Sequence, residues 1–218
     1  MKLSKKVLII FFIFLAVLGL NSCIGASADI SIRANGSGSM ALEYRVPMML
    51  ESIGRLDGNE RWPIIPVGRA DFERSLARIP GLHLKSFSSR EVRGARAGND
   101  LLVKAVLEFD DTASLLNFLD LTGSHASLTQ DNQNLLRIVL ADPSPQAKNA
   151  DLISLLKEVS AGYELQISMS APQSASLAVY PSNVQGARVV SQGRKVSFAI
   201  GTGELLSLSE GLVLEMRW

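Results

Sequence analysis

The chain has one cysteine in 218 residues, two histidines, and almost no excess of charge of either sign. A lone cysteine excludes a disulfide framework, and two histidines leave too few ligands for a Cys/His metal site. Basic and acidic residues number 22 and 21, a balance without the electrostatic footprint of a nucleic-acid-binding surface. The longest apolar stretch, Val7 to Leu20, is 14 residues, short of the ~18–20 that cross a bilayer as a helix. Hydrophobic content of 47% with 20% charged residues excludes a disordered or collagen-like chain. Catalytic signatures are equally scarce: GxSxG, HExxH and GxxxxGK[ST] are all missing.

What is there begins with an export signal. Lys2, Lys5 and Lys6 precede the apolar stretch, and Leu20-Asn21-Ser22-Cys23 follows it, the layout of a cleaved signal over 1–22. Cleavage leaves 218 − 22 = 196 residues with 19 basic and 21 acidic side chains, net −2. Leu20 at −3, Ser22 at −1 and Cys23 at +1 resemble the lipobox of bacterial lipoproteins, in the relaxed form that Asn21 gives it. The resemblance implies that the Cys23 thiol receives a diacylglyceryl group and that Cys23 becomes the N-terminus. Two or three palmitate-like chains, at ~0.8 kcal/mol per buried CH₂, anchor a protein stably where one would not. The expected partner is thus a lipid bilayer and the expected location the bacterial cell envelope, with neither membrane nor face specified. Residues 23–28 read as the lipidated cysteine and a short tether, and 29–218 as the folded domain.

The folded part alternates with a period of two. Ile30, Ile32 and Ala34 face one way before Asn35-Gly36-Ser37-Gly38; Met40, Leu42, Tyr44 and Val46 face one way after it. This predicts a hairpin with one wet side, closed by a type I′ turn. A short helix is expected over 48–56, then a loop, and a helix over 71–79 with Phe72, Leu76 and Ile79 as its stripe. Residues 82–92 and 100–109 read as a second hairpin, followed by a helix capped by Asp111 and running through Leu121. A third hairpin, 126–130 with 134–141, precedes a helix over 148–160, whose Leu152, Leu155, Leu156 and Val159 form one stripe. Strands are expected over 163–169, 176–180, 186–192, 194–200 and 212–218, with a short helix or turn at 202–209. Hairpins with one polar face predict an α+β fold: a largely antiparallel sheet with amphipathic helices packed on one face. One domain is expected, with 143–145 as the place for any subdivision.

Few residues point to chemistry. His83 lies on the polar side of a strand and His125 in a loop, 42 residues apart; a hydrolase would need one of them in a cleft with a carboxylate. Asp110-Asp111 reads as a strand end and a helix cap. No catalytic residue, cofactor or metal is expected, and the chain reads as a non-enzyme. Residues 85–104 hold five basic side chains against Glu91 and Asp100, a local +3. Arg90, Arg93 and Arg96 there are candidates for contact with anionic headgroups, or serve to keep a sheet edge soluble. Trp62, just before Pro63, and Ile64 and Ile65, between Pro63 and Pro66, are candidates for an apolar pocket rim or partner site, or else for core.

The lipobox cysteine, the hairpin Asp29-Ile-Ser-Ile-Arg-Ala-Asn-Gly-Ser-Gly-Ser and the segment Gly98-Asn-Asp-Leu-Leu-Val-Lys-Ala-Val-Leu-Glu-Phe-Asp-Asp-Thr together resemble the LppM-like bacterial lipoproteins. The resemblance covers roughly 29–122 and the closing strands. It implies an α+β envelope lipoprotein without known catalysis, able to bind lipid or glycolipid, and carries over one functional residue, Cys23. The reading that follows is a membrane-anchored, non-catalytic lipoprotein that binds a lipid or other apolar ligand in a gap between layers. The alternative is a protein-interaction or scaffolding role for an envelope partner.

Overall fold

A computed structural model of the chain describes residues 25–47, 66–93, 99–120, 125–131, 133–141, 162–208 and 210–218. The three hairpins form where the alternation places them. β1 (Ala26–Ile32) pairs antiparallel with β2 (Gly38–Pro47), β3 (Leu82–Arg93) with β4 (Asn99–Phe109), and β5 (Ala126–Gln130) with β6 (Asn134–Ala141). Five further strands follow: β7 (Glu164–Ser170), β8 (Ser176–Tyr180), β9 (Arg188–Gln192), β10 (Lys195–Gly201) and β11 (Leu212–Arg217). Among the described residues three short helices accompany them, α1 (Arg69–Leu76), α2 (Thr112–Leu119) and α3 (Thr202–Ser207). The result is sheet-rich α+β.

The strands divide between two sheets. Seven run in the order β3-β4-β2-β1-β7-β10-β9, and four in the order β5-β6-β11-β8. Every pairing is antiparallel except β1 with β7. Alternation fixes which face of a strand is buried but not which neighbour it pairs with, so the second sheet and the parallel pair had no signature in the chain. Leu136, Ile138, Leu214 and Met216 of the smaller sheet belong to the same apolar core as Ile30, Met40, Leu107 and Phe198 of the larger. A second sheet, and not helices alone, therefore helps cover the inner face. α1 does pack there: its Phe72 ring stacks on Tyr44 of β2, centroids 6.5 Å apart, and meets Phe87 of β3 at 5.4 Å. Burial against this cluster pushes the Tyr44 hydroxyl well above the ordinary tyrosine range, and it donates to the Pro66 carbonyl.

Three local expectations change. The tether is shorter than 23–28, because Ala26 already pairs with Tyr44 on one side and Leu165 on the other. The first turn is not type I′, since Asn35 has negative φ and only Gly36, at φ 84°, is left-handed there. Gly36 N–H donates to Arg33 O and Arg33 N–H to Ser37 O, the three-residue loop that ends in a left-handed glycine. The next residues fit this loop tightly: a Cβ on Gly38 would sit 2.0 Å from Ser31 O and 2.3 Å from the Phe109 ring. α1 ends at Leu76, although Ile79 remains buried. The helices expected over 48–56 and 148–160 and the boundary near 143–145 lie outside the described residues.

Candidate functional site

Cross-strand register sorts the charges of the large sheet. On its outer face Ser27, Glu43, Lys104 and Ser88 lie in one row across β1, β2, β4 and β3. Ser31, Ser39, Glu108 and His83 lie in another. Pairs form within and beside these rows: Lys104 with Glu43 at 2.6 Å, Lys85 with Glu108 at 2.5 Å, Lys195 with Asp29 at 3.1 Å, and Arg188 with Glu164. The Lys85 hydrogen bond and charge hold the Glu108 carboxyl below its ordinary range. Two of the five cations counted over 85–104 are thereby neutralised. The middle of the sheet is a closed lattice of opposite charges.

Arginines that pair with no carboxylate of the described residues collect at the ends, Arg45, Arg90 and Arg93 at one and Arg33 and Arg194 at the other. The near end is where β1 begins, three residues after Cys23 in the chain. Here Arg45 of β2 and Arg90 of β3 both lie opposite Leu102 of β4, on the outer face. Among the described residues no carboxylate pairs with Arg45, Arg90 or Arg93. Arg93, three residues past Arg90, falls on the opposite face of the strand, and both are exposed. The expected cluster is therefore split between two faces of one hairpin. Ala26 is level with Ser89, through Tyr44 and Val103. Arg93 lies four residues further on, so the hairpin overhangs the start of β1 by about 13 Å at ~3.3 Å per residue. Buried Asp100, opposite Val92 and one rung from the last described pair of the hairpin, accepts a 2.9 Å hydrogen bond from the Tyr163 hydroxyl. Cys23, Arg96, Trp62, Ile64 and Ile65 lie outside the described residues.

The far end, where β1 finishes, holds an open groove of about 550 Å³. It exists because the two parallel strands part company. After Ile32 the chain turns back into β2 on one side; after Ser170 it leaves β7 for the other sheet. Such divergence at the carboxyl ends of parallel strands opens a crevice, as it does in α/β sheets. The walls are Arg33 and Ala34 from one exit, Ala171 and Pro172 from the other, and Gln192, Arg194 and Lys195 from the β9–β10 turn. That turn is stitched down: Ala171 N–H donates to Arg194 O at 2.9 Å, and Ala175 N–H to Gly193 O at 2.8 Å. The Arg33 guanidinium touches Ser37 Oγ at 3.1 Å and that of Arg194 the Pro172 carbonyl at 3.4 Å. The lining carries three cations and no carboxylate, with Asp29 beside Lys195. Sequence reading missed this site, since Arg33 and Arg194 are far apart in the chain and stand alone in their turns.

Both histidines meet an aspartate. His83 Nε2 is 3.3 Å from Asp110 Oδ2, with both side chains more than 60% exposed, so that pair lies on open surface and not in a cleft. Asp120, its side chain 1% exposed, accepts the backbone N–H groups of His125 and Ala126 and stands 3.8 Å from His125 Nδ1. Its carboxylate ties the end of α2 to the start of β5. Among the described residues no group of three or more His, Cys, Asp or Glu side chains could hold a metal ion. No described helix is long and apolar enough to cross a membrane.

No protein-family model matches the chain, and no curated protein matches it. Among solved structures it is similar to the folded domain of LppM from Mycobacterium tuberculosis, determined by NMR. The identity is 14% and the TM-score 0.46, over 90% of each chain.

Proposed function

We propose that the protein is a non-catalytic lipoprotein of the bacterial envelope, anchored through acylated Cys23 and seated on an anionic lipid surface by its β3–β4 hairpin. One observation carries this reading. The hairpin overhangs the same end of the sheet at which β1 begins, and three residues span at most ~11 Å between Ala26 and Cys23. An acyl chain at Cys23 brings that end down to the bilayer, with Arg45, Arg90 and Arg93, which no carboxylate of the described residues pairs with, beside it. Each such cation is worth ~1 kcal/mol at an anionic leaflet. The lipid contact is then with headgroups at an end of the sheet. Large side chains, among them Phe109, Phe198, Met169 and Leu214, fill the inner face among the described residues, which favours headgroup contact over an apolar ligand held between layers.

The test uses the full chain purified from bacterial membranes. Intact mass should show diacylglyceryl on Cys23, and C23S should appear unacylated. In nanodiscs of phosphatidylcholine with phosphatidylglycerol, amide exchange in β3 and β4 near the tip should slow relative to pure phosphatidylcholine. Equal exchange in both, or an unmodified Cys23, overturns the reading.

A second reading, a protein-interaction role, draws on the other edge of the sheet. β9 is exposed along its whole length, with Val189 45% and Val190 55% exposed, and a free edge can accept a strand from an envelope protein. A photo-crosslinker at Val190 that captures one defined partner in intact cells would favour it.

A further inference from the structure

We propose that the far-end groove is a binding site for a phosphoryl-bearing anion, held between Arg33, Arg194 and Lys195. Three features point to that chemistry. The lining itself carries no carboxylate, and the two nearby are each engaged by a lysine: Asp29 by Lys195 at 3.1 Å, and Glu108, whose charge also feels Arg33, by Lys85 at 2.5 Å. The two guanidiniums touch only a hydroxyl and a carbonyl, so each retains donors for a planar, forked contact to phosphate oxygens. Ser31 and Ser170 add hydroxyls at the floor, which suits a group with three acceptor oxygens and up to two charges.

The walls are also fixed. Ile32 and Ala171 are 6% and 5% exposed, and the β9–β10 turn is hydrogen-bonded to 171 and 175. Cations held on such a frame lose little freedom when they bind. A volume of about 550 Å³ fits a small molecule. The site is independent of the anchor, because it lies at the opposite end of β1. The phosphoryl group could belong to a soluble phosphoester or to a headgroup of another lipid surface.

The experiment takes the full chain in neutral detergent micelles at low salt. Inorganic phosphate and glycerol 3-phosphate are titrated while the amide resonances of residues 31–34, 170–172 and 192–195 are followed. Saturable shifts there are expected. Arg33→Gln and Arg194→Gln should each weaken binding about fivefold, the worth of an exposed charge pair, while Arg78→Gln leaves it unchanged. These arginines are exposed, and unchanged melting of each variant confirms folding. Flotation with phosphatidylglycerol vesicles separates the two sources. Loss of vesicle capture in the double variant of a C23S chain assigns the site to headgroups; loss of glycerol 3-phosphate binding alone assigns it to soluble phosphoesters. No shifts, shifts that survive both substitutions, or equal competition by acetate overturn the proposal. None of these outcomes bears on whether Cys23 is acylated or the hairpin meets a membrane.

Discussion

The two ends of the seven-stranded sheet carry the same charge on opposite shapes. At the near end a long hairpin projects past its neighbours with Arg90 and Arg93 on its two faces. At the far end two chains diverge and leave a hollow rimmed by Arg33, Arg194 and Lys195. A ridge can press many weak contacts onto a plane, whereas a hollow gathers a few around one small solute. Between them Lys85 and Lys104 are matched by carboxylates, and at the rim of the hollow Lys195 is matched by Asp29, which leaves the two arginines there available. Net charge alone would have shown neither end, since pairing in the middle hides them both. Position relative to the cross-strand pairs is what separates a neutralised cation from an available one.

The hardest way to break the contrast is at Gly38. Gly38→Ala puts a methyl into Ser31 O and the Phe109 ring and should cost about 3 kcal/mol or more of stability, read by chemical denaturation. The groove should lose its phosphate response with it, since Ser31 is a lining residue. At the near end, Tyr163→Phe leaves buried Asp100 short of its hydroxyl donor. A loss of about 2 kcal/mol is expected, with hydrogen exchange accelerating in β4 around Asp100.

Arg90→Gln tests shape against charge. It should weaken association with phosphatidylglycerol vesicles about fivefold at low salt, one surface cation's worth, and the deficit should vanish at high salt. Melting should not change. The smallest effect is expected at Asp111, which caps α2 at the far end. Its carboxyl is held below the ordinary 3.8 chiefly by the Ser114 backbone N–H, with the Ser114 hydroxyl adding to it. A depressed value means stability present above the ordinary carboxylate range and lost as pH falls through and below it. Asp111→Ala should lower the melting temperature slightly at neutral pH and flatten its decline on the acid side.

Local structure was legible because its causes are local. The strands at 126–130 and 134–141 stand where the alternation puts them, and Asp111 caps its helix as its side chain allows. Assembly was not. The parallel meeting of β1 with β7 joins residues well over a hundred positions apart, and nothing in either strand names the other. The groove depends on that meeting, so its arginines read as ordinary turn residues. Arg90 and Arg93 read as one cluster, yet a period of two sends an odd spacing to opposite faces. His83 met Asp110 through the pairing of β3 with β4, a juxtaposition that spacing in the chain does not encode, whereas Asp120 lies only five residues before His125.

The place of β1 has a mechanical consequence. It is hydrogen-bonded along its length to β2 on one side and β7 on the other, and Cys23, the residue proposed to carry the lipid, stands three positions before it in the chain. A tug on the lipid runs along the strand axis and loads both ladders in shear, all at once, instead of peeling them open one rung at a time. Traction between envelope and protein is thus borne by the middle of the largest sheet, and extraction of the acyl chains should yield before the fold does.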